Sequence, residues 1–319
     1  MMLNLCTIGT SQITRSFIEA ADKVEGVQVV AVYSRDPLKA EELAETYNIA
    51  DAHFDMGTML ADERINGVYI ASPNALHFPQ VMTCLQHQKH IICEKPIFTN
   101  VKDFNIAYEK ADRQGVFLFE AMRNLHTPNF HKLKEALGLI GNIRSAYFHR
   151  MRYSSKYDRF RKGEISNVFS NKMGGGALRD LGVYPLSLMV ALFDEPESTY
   201  YHSIQLNSEV DGSGTLLLEY GSYNGTVMCS KITTSYNDCE IHGENGTLVF
   251  DNAAPIRDIK FLPNQGNDSI QLAAEEVLPN MSYQIQNFKS IIEKGDCDTY
   301  RYYRNISKKV VSIIDRHGQ

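Results

Sequence analysis

Leu3-Asn4-Leu5-Cys6-Thr7-Ile8 runs through Gly9-Thr10-Ser11 into Gln12-Ile13-Thr14-Arg15-Ser16-Phe17-Ile18-Glu19-Ala20-Ala21. The order of apolar run, glycine turn and helical period decides the fold. The six-residue run suits a buried strand, and Ile13, Phe17, Ile18 and Ala21 then recur at the spacing of one helix face. Val27–Tyr33 (Val-Gln-Val-Val-Ala-Val-Tyr) follows as the β-branched run of a buried parallel strand. Asp36-Pro37 opens a second helix, with Asp as N-cap and Pro at the first helical position. Ala40, Leu43, Ala44 and Tyr47 line its inner face.

The alternation continues outward. Strands are expected at 67–71, 90–93 and 116–120, with helices at 75–86 and Val101–Gln114 between them. Parallel strands need crossovers, so the chain belongs to the α/β class, with helices on both faces of a doubly wound parallel sheet. Ligands of such sheets bind beyond the carboxyl ends of the strands.

Beyond residue 121 the pattern changes. Strands are expected at 143–153, 198–206, 215–220, 226–232, 239–242 and 247–250. Turn signals separate them: Asp211-Gly212-Ser213-Gly214, Gly221-Ser222-Tyr223-Asn224-Gly225 and Glu244-Asn245-Gly246. Short turns between consecutive strands predict an antiparallel sheet, and helices at 282–293 and 300–315 close the chain. Two domains follow, 1–121 and 122–319. The length of 319 residues agrees with two.

Composition narrows the function. Hydrophobic residues are 43% and charged residues 22%, as in ordinary globular proteins. With 32 Lys and Arg against 38 Asp and Glu, the net charge of −6 leaves no surplus for a general nucleic-acid binder. The longest uninterrupted apolar stretch, 188–193, is far below the roughly 20 residues of a membrane span. The first residues carry neither a basic region nor a cleavage site. Six scattered cysteines lack any C-x-x-C, and Cys6 and Cys93 sit in strand-like runs as plain buried thiols. A cytoplasmic location without membrane or nucleic-acid partners is expected.

Measured against G-x-G-x-x-G, the first turn keeps only Gly9, with Ser11 and Thr14 in the other two glycine places. Gly9, Thr10, Ser11, Gln12 and Ile13 are nevertheless candidates to cradle a pyrophosphate at a helix N-terminus. The alternative is a plain strand-to-helix turn. NAD enzymes place an acid at the end of the second strand. This chain has Ser34 and Arg35 there, a hydroxyl and a guanidinium suited to the 2′-phosphate of NADP. A preference for NADP over NAD is expected.

Three motifs remain: Val68-Tyr69-Ile70-Ala71-Ser72-Pro73-Asn74-Ala75-Leu76-His77, Glu94-Lys95-Pro96, and Gly174-Gly175-Gly176-Ala177-Leu178-Arg179-Asp180-Leu181-Gly182-Val183-Tyr184-Pro185. In this order and spacing the chain resembles the glucose–fructose oxidoreductase / inositol dehydrogenase (Gfo/Idh/MocA) family over nearly its whole length. Its Tyr184 resembles the branch with dimeric dihydrodiol dehydrogenase and NADP-dependent xylose dehydrogenase. The resemblance implies an N-terminal Rossmann domain and a C-terminal α+β domain with a large open sheet, often used for dimerisation. It implies that Lys95, Asp180 and Tyr184 are catalytic, and that Ser72, Pro73, Asn74, His77, Glu94 and Lys95 line the cofactor. The implied activity is hydride transfer between nicotinamide and a sugar, polyol, diol or related small carbonyl compound. Arg123-Asn124-Leu125-His126, after Glu120-Ala121-Met122, departs from the branch pattern.

The chemistry supports these roles. A free tyrosine has a pKa of about 10, and a neighbouring ammonium favours its phenolate. The same cation steadies a developing alkoxide. Asp180 precedes Tyr184 by four residues, so an α-helix places both on one face; Asp180 is expected to orient a substrate hydroxyl or Lys95. The donor-rich run Arg152–Arg161 is a further candidate for the substrate pocket. His126 and His131 lack a third ligand at a convincing spacing, so no metal site is expected. The competing function is a non-catalytic NAD(P)-binding regulator or sensor on the same fold, favoured by the eroded glycine pattern. A sheet with helices on one face leaves the other for a second copy, which predicts a homodimer or higher homo-oligomer.

Overall fold

The computed structural model describes residues 2–266 and 268–317. The chain forms two compact units, Met1–Ala121 with Leu278–Ser307, and Met122–Val277 with Lys308–Gln319.

The first unit is a six-stranded parallel sheet in the order β3-β2-β1-β4-β5-β6. Its strands are β1 (Leu3–Ile8), β2 (Val27–Tyr33), β3 (Asp51–His53), β4 (Gly67–Ile70), β5 (His90–Glu94) and β6 (Leu118–Ala121). Helices α1 (Gln12–Ala21), α2 (Pro37–Tyr47), α3 (Met56–Ala61), α4 (His77–Gln86) and α5 (Val101–Gln114) make the crossovers. Register aligns the carboxyl ends: Ile8 lies beside Tyr33 and Ile70, Ile70 beside Cys93, and Glu94 beside Ala121. Gly9, Ser34 and Ala71 therefore leave the sheet together. The strand order reverses between β1 and β4, the switch point at which such sheets bind ligands. Phe17 of α1 stacks on Tyr69 of β4, with centroids 3.6 Å apart and rings within 5° of parallel. Such pairs add about 0.5–1.5 kcal/mol beyond their buried area.

The second unit holds an eight-stranded sheet in the order β14-β13-β12-β11-β7-β10-β9-β8. These are β7 (Ile143–Met151), β8 (Ser198–Gln205), β9 (Asp211–Glu219), β10 (Asn224–Ser230), β11 (Cys239–Gly243), β12 (Gly246–Phe250), β13 (Ile259–Pro263) and β14 (Ile270–Gln271). Every pairing is antiparallel except β7 with β10. Helices α6 (Pro128–Ala136), α7 (Tyr157–Arg161) and α8 (Val183–Phe193) also belong to this unit. Buried Ala146, Phe148, Leu216, Leu218 and Val227 belong to the sheet's core, whereas Tyr200, Ile204, Leu217 and Leu262 are exposed. Among the described residues one helical stretch, Asn171–Phe193, is long and apolar enough to cross a membrane by composition, and most of it is buried as a core helix is.

Helices α9 (Asn280–Lys294) and α10 (Cys297–His317) end the chain. Sequence assigned all of 122–319 to one domain, whereas Leu278–Ser307 is compact with the first 121 residues. The cause is the apolar face of α9. Phe288 stacks on Phe119 at 4.3 Å, and Ser282 Oγ donates to the carbonyl of Ala20 at 2.9 Å.

Three local expectations need correction. Asp211-Gly212-Ser213-Gly214, read as a turn, is the start of β9. Its glycines serve packing: a Cβ on Gly214 would collide with the Tyr201 ring, and one on Gly212 would lie 2.9 Å from Leu206. Asp36 stands at the N-cap of α2 without a capping bond, because its carboxylate pairs with Lys39 at 3.1 Å. The π turn Leu178–Gly182 replaces the regular α-helix expected between Asp180 and Tyr184.

Candidate active site

At the switch point of the first unit, Gly9 has φ +113°, and a Cβ there would lie 2.8 Å from the carbonyl of Ala71. Only glycine lets the chain turn so close to β4. Thr14, in place of the third glycine, is fully buried, and its Oγ1 has no hydrogen-bond partner among the described residues. Ser11 is the exposed N-cap of α1 and makes no side-chain capping bond; the first turn carries no acid. Thr10 and Ile13 are half-buried and Gln12 exposed. This turn fits a phosphate: amides at a ten-residue helix start, a Ser11 hydroxyl not used in capping, and no acid in the first turn. At the end of β2, Ser34 Oγ accepts the Asp36 amide at 3.1 Å, and Arg35 is exposed. The nearest acid in sequence, Asp36, has its carboxylate paired with Lys39.

The next two strand ends are joined by one imidazole. His77 is fully buried, its Nε2 2.9 Å from Ser72 O and its Nδ1 3.0 Å from Pro96 O. Burial lowers its pKa and outweighs the hydrogen bonds that raise it. His77 thus sits between the half-buried Ser72-Pro73-Asn74 loop and the Lys95-Pro96 stretch, its neutral ring donating its one N–H to a carbonyl of one or the other. Ser72 Oγ donates to Gln80 at 2.6 Å. Glu94 accepts the Tyr69 hydroxyl at 2.7 Å, and its other oxygen accepts the Lys95 amide at 3.3 Å. Sequence did not foresee Glu120, which accepts the Ile97 amide at 2.9 Å and the Ser307 hydroxyl. Burial pushes its pKa up. The backbone on either side of Lys95 is therefore fixed by two buried carboxylates.

In the second unit the three consecutive glycines have separate jobs. Gly174 adopts φ +71° at the end of a 3-10 turn. A Cβ on Gly175 would lie 2.7 Å from Val168 O, and one on Gly176 would collide with the Asp211 carboxylate. Asp211, from β9, accepts the amides of Ala177 at 2.9 Å and Leu178 at 2.7 Å, and the Tyr201 hydroxyl at 2.5 Å. It caps the turn that carries Asp180 and Tyr184.

Asp180 forms an ion pair with Lys231, a residue the sequence gave no reason to single out because 51 positions separate the two. Tyr184 is buried, its carbonyl accepting Asn124 Nδ2 at 3.3 Å while the Arg123 guanidinium lies 5.8 Å from its ring centre. Two of the residues that depart from the branch pattern, Arg123 and Asn124, thus lie against Tyr184. Of the donor-rich run, Tyr157 and Phe160 pack on Phe169, while Arg159 and Arg161 are exposed. His126 is buried and its pKa falls to about 3, mainly through desolvation. Among the described residues no three His, Cys, Asp or Glu side chains gather as a metal site.

Residues 3–122 match the oxidoreductase family with an NAD-binding Rossmann fold, and residues 130–249 match the GFO/IDH/MocA C-terminal domain. The chain is 38% identical over 298 residues to scyllo-inositol 2-dehydrogenase (NADP(+)) IolU of Bacillus subtilis (strain 168), spanning 93% of this chain and 90% of that protein. The chain belongs to the Gfo/Idh/MocA oxidoreductase family. As a member of it, the protein is an NAD(P)-dependent oxidoreductase with the parallel Rossmann sheet and mostly antiparallel second sheet expected from sequence. This Gfo/Idh/MocA chain is also 32% identical over 224 residues to trans-1,2-dihydrobenzene-1,2-diol dehydrogenase of Mus musculus, spanning 69% of this chain and 65% of that one. KijD10, a 3-ketoreductase from Actinomadura kijaniata solved with NADP and TDP-benzene, shares the fold at a TM-score of 0.86. That match covers 100% of this chain and 98% of that one at 21% identity.

Proposed function

We propose that this family member is an NADP-preferring dehydrogenase or reductase acting on a polyol, sugar, diol or related small carbonyl compound. Tyr184 is its acid/base, Lys95 the electrostatic partner of that phenol, and Asp180 the orienting group. The observation that carries this reading is the segment Gly174–Tyr184. It is capped by Asp211, and its carboxylate is charge-paired by a buried lysine, an investment of structure that nucleotide binding alone does not require.

Gly9, Thr10, Ser11, Gln12 and Ile13 would hold the pyrophosphate, and Ser34 with Arg35 the 2′-phosphate. Ser72, Pro73, Asn74, Glu94 and Lys95 would line the nicotinamide side, with His77 fixing their loops. When bound, the nicotinamide accepts or returns a hydride. The protein's own residues move the proton: Tyr184 takes it from the alcohol during oxidation and returns it during reduction. The Lys95 ammonium favours the phenolate and stabilises negative charge on the substrate oxygen. Asp180 accepts a hydrogen bond from a neighbouring hydroxyl and sets which carbon faces the nicotinamide. The exposed apolar residues on the second sheet support self-association through that face.

The relatives select the test. NADP+ and NAD+ are each titrated, then turned over with scyllo-inositol, trans-dihydrodiols and aldoses, with NADPH absorbance as readout. Turnover with NADP+ and a polyol or diol is expected. Tight NADP+ binding with no turnover across the panel would overturn the reading in favour of a sensor.

A further inference from the structure

Lys231 lies just past β10 with its backbone held from both sides. Its amide donates to Gly212 O at 2.8 Å, and its carbonyl accepts the Ser154 amide at 2.8 Å. The side chain is 3% exposed, pairs with Asp180 Oδ2, and stands 5.4 Å from the centre of the buried Phe169 ring. Tyr157 and Phe160 pack on that ring in turn. Asp180 is 29% exposed. The pair thus has a buried cation and a carboxylate that reaches solvent.

Lysines are this buried almost only when paired. Stability does not account for such a pair, since apolar residues of the same volume often serve as well or better. What the pair does supply is a carboxylate held in place by an ammonium. An ionised carboxylate only accepts hydrogen bonds, whereas a protonated one also donates. The backbone clamps fix where the ammonium arises, the Phe169 ring limits where it can move, and the π turn presents the carboxylate to it.

We propose that Lys231 is a positioning residue of the active site: its buried ammonium holds the Asp180 carboxylate in one orientation, so that Asp180 serves as a hydrogen-bond acceptor for a substrate hydroxyl. Lys231 acts through Asp180 and touches neither substrate nor cofactor. This rests on Asp180 being the orienting group proposed above.

The test is a double-mutant cycle between Asp180→Asn and Lys231→Met, assayed with NADP+ and the polyol that the panel turns over fastest. Charge-assisted hydrogen bonds of this kind correspond to a loss of about 10- to 100-fold in kcat for Lys231→Met. NADP+ affinity should be unchanged, and Lys231→Arg should recover part of the loss. In the Asp180→Asn background, Lys231→Met should cost less than about 2-fold more, because the group it serves is gone. Thermal melts of all variants show whether each is folded, and Lys231→Gln enters the cycle if Lys231→Met is not. Equal losses in both backgrounds would overturn the role of Lys231 while leaving that of Asp180 intact. Full turnover by Asp180→Asn alone would overturn the reading of Asp180, and this proposal with it.

Discussion

Asp211→Ala is the most informative single change in the second unit. It removes the acceptor of two amides, at 2.9 and 2.7 Å, and of the Tyr201 hydroxyl at 2.5 Å. Losing a helix-capping side chain costs about 1–2 kcal/mol. Tyr201 is largely shielded from water, and burial is the first cause of its raised pKa. Leaving its hydroxyl only the Cys229 Sγ at 3.7 Å adds about 1 kcal/mol. The sum is about 2–3 kcal/mol, which for a domain of this size is a fall in Tm of about 4–12 °C. Differential scanning calorimetry reads the fall directly. Because the capped turn carries Asp180 and Tyr184, kcat should drop as well. Asp211→Asn keeps one acceptor oxygen and should lie between the two. A Tm within about 1 °C of the parent together with unchanged turnover would refute the argument that this carboxylate holds the glycine segment.

Tyr184→Phe and Lys95→Ala should each lower kcat by about 100-fold or more with melts unchanged, since proton transfer and charge stabilisation each contribute on that scale; near-normal turnover by both would reject the catalytic assignment. Arg35→Ala should weaken NADP+ binding by about 10-fold or more and leave NAD+ binding nearly as it was, measured by isothermal titration calorimetry. His126 has a folded pKa of about 3 against the usual value of 6.5. Its neutral form is thus preferred in the native state, and the stability it contributes is present above pH 6.5 and lost as pH falls toward 3. The slope approaches about 1.4 kcal/mol per pH unit, and His126→Gln should flatten it in urea titrations at pH 7, 6 and 5. Light scattering at micromolar concentration should report a dimer or larger, whereas a monomer would refute association through the second sheet.

Most of the parallel half was legible because β1, β2, β4 and β5 are short apolar runs and α1, α2, α4 and α5 repeat their apolar residues with helical period; β3 (Asp-Ala-His) and the six-residue α3 were missed, being too short to show a period. Glycine misled at 211–214: it was read as turn chemistry, where its use is to admit the Tyr201 and Leu206 side chains. The strand Ile259–Pro263 was not recognised, since it is short and ends in proline, a residue more often taken to mark a break. In the candidate site, motif residues could be named, but their supports could not. Glu120 and Lys231 act on Ile97 and Asp180 from distant positions, and pairing across such separations is set by sheet register, which no local pattern encodes. The Asp180–Tyr184 spacing was legible as a distance along the chain, though the π turn between them was not.

The packing of α9 on Phe119 and α1 has a consequence for the order in which the protein is made. A ribosome delivers Phe119 well before Phe288 and Tyr300, which pack against it, emerge. Until then the nascent nucleotide-binding sheet carries an uncovered aromatic flank, and every intervening strand is synthesised while that flank waits. Completion of the coenzyme-binding unit is thereby deferred until residues 278–307 are made, so a chain truncated before residue 278 would lack part of that unit.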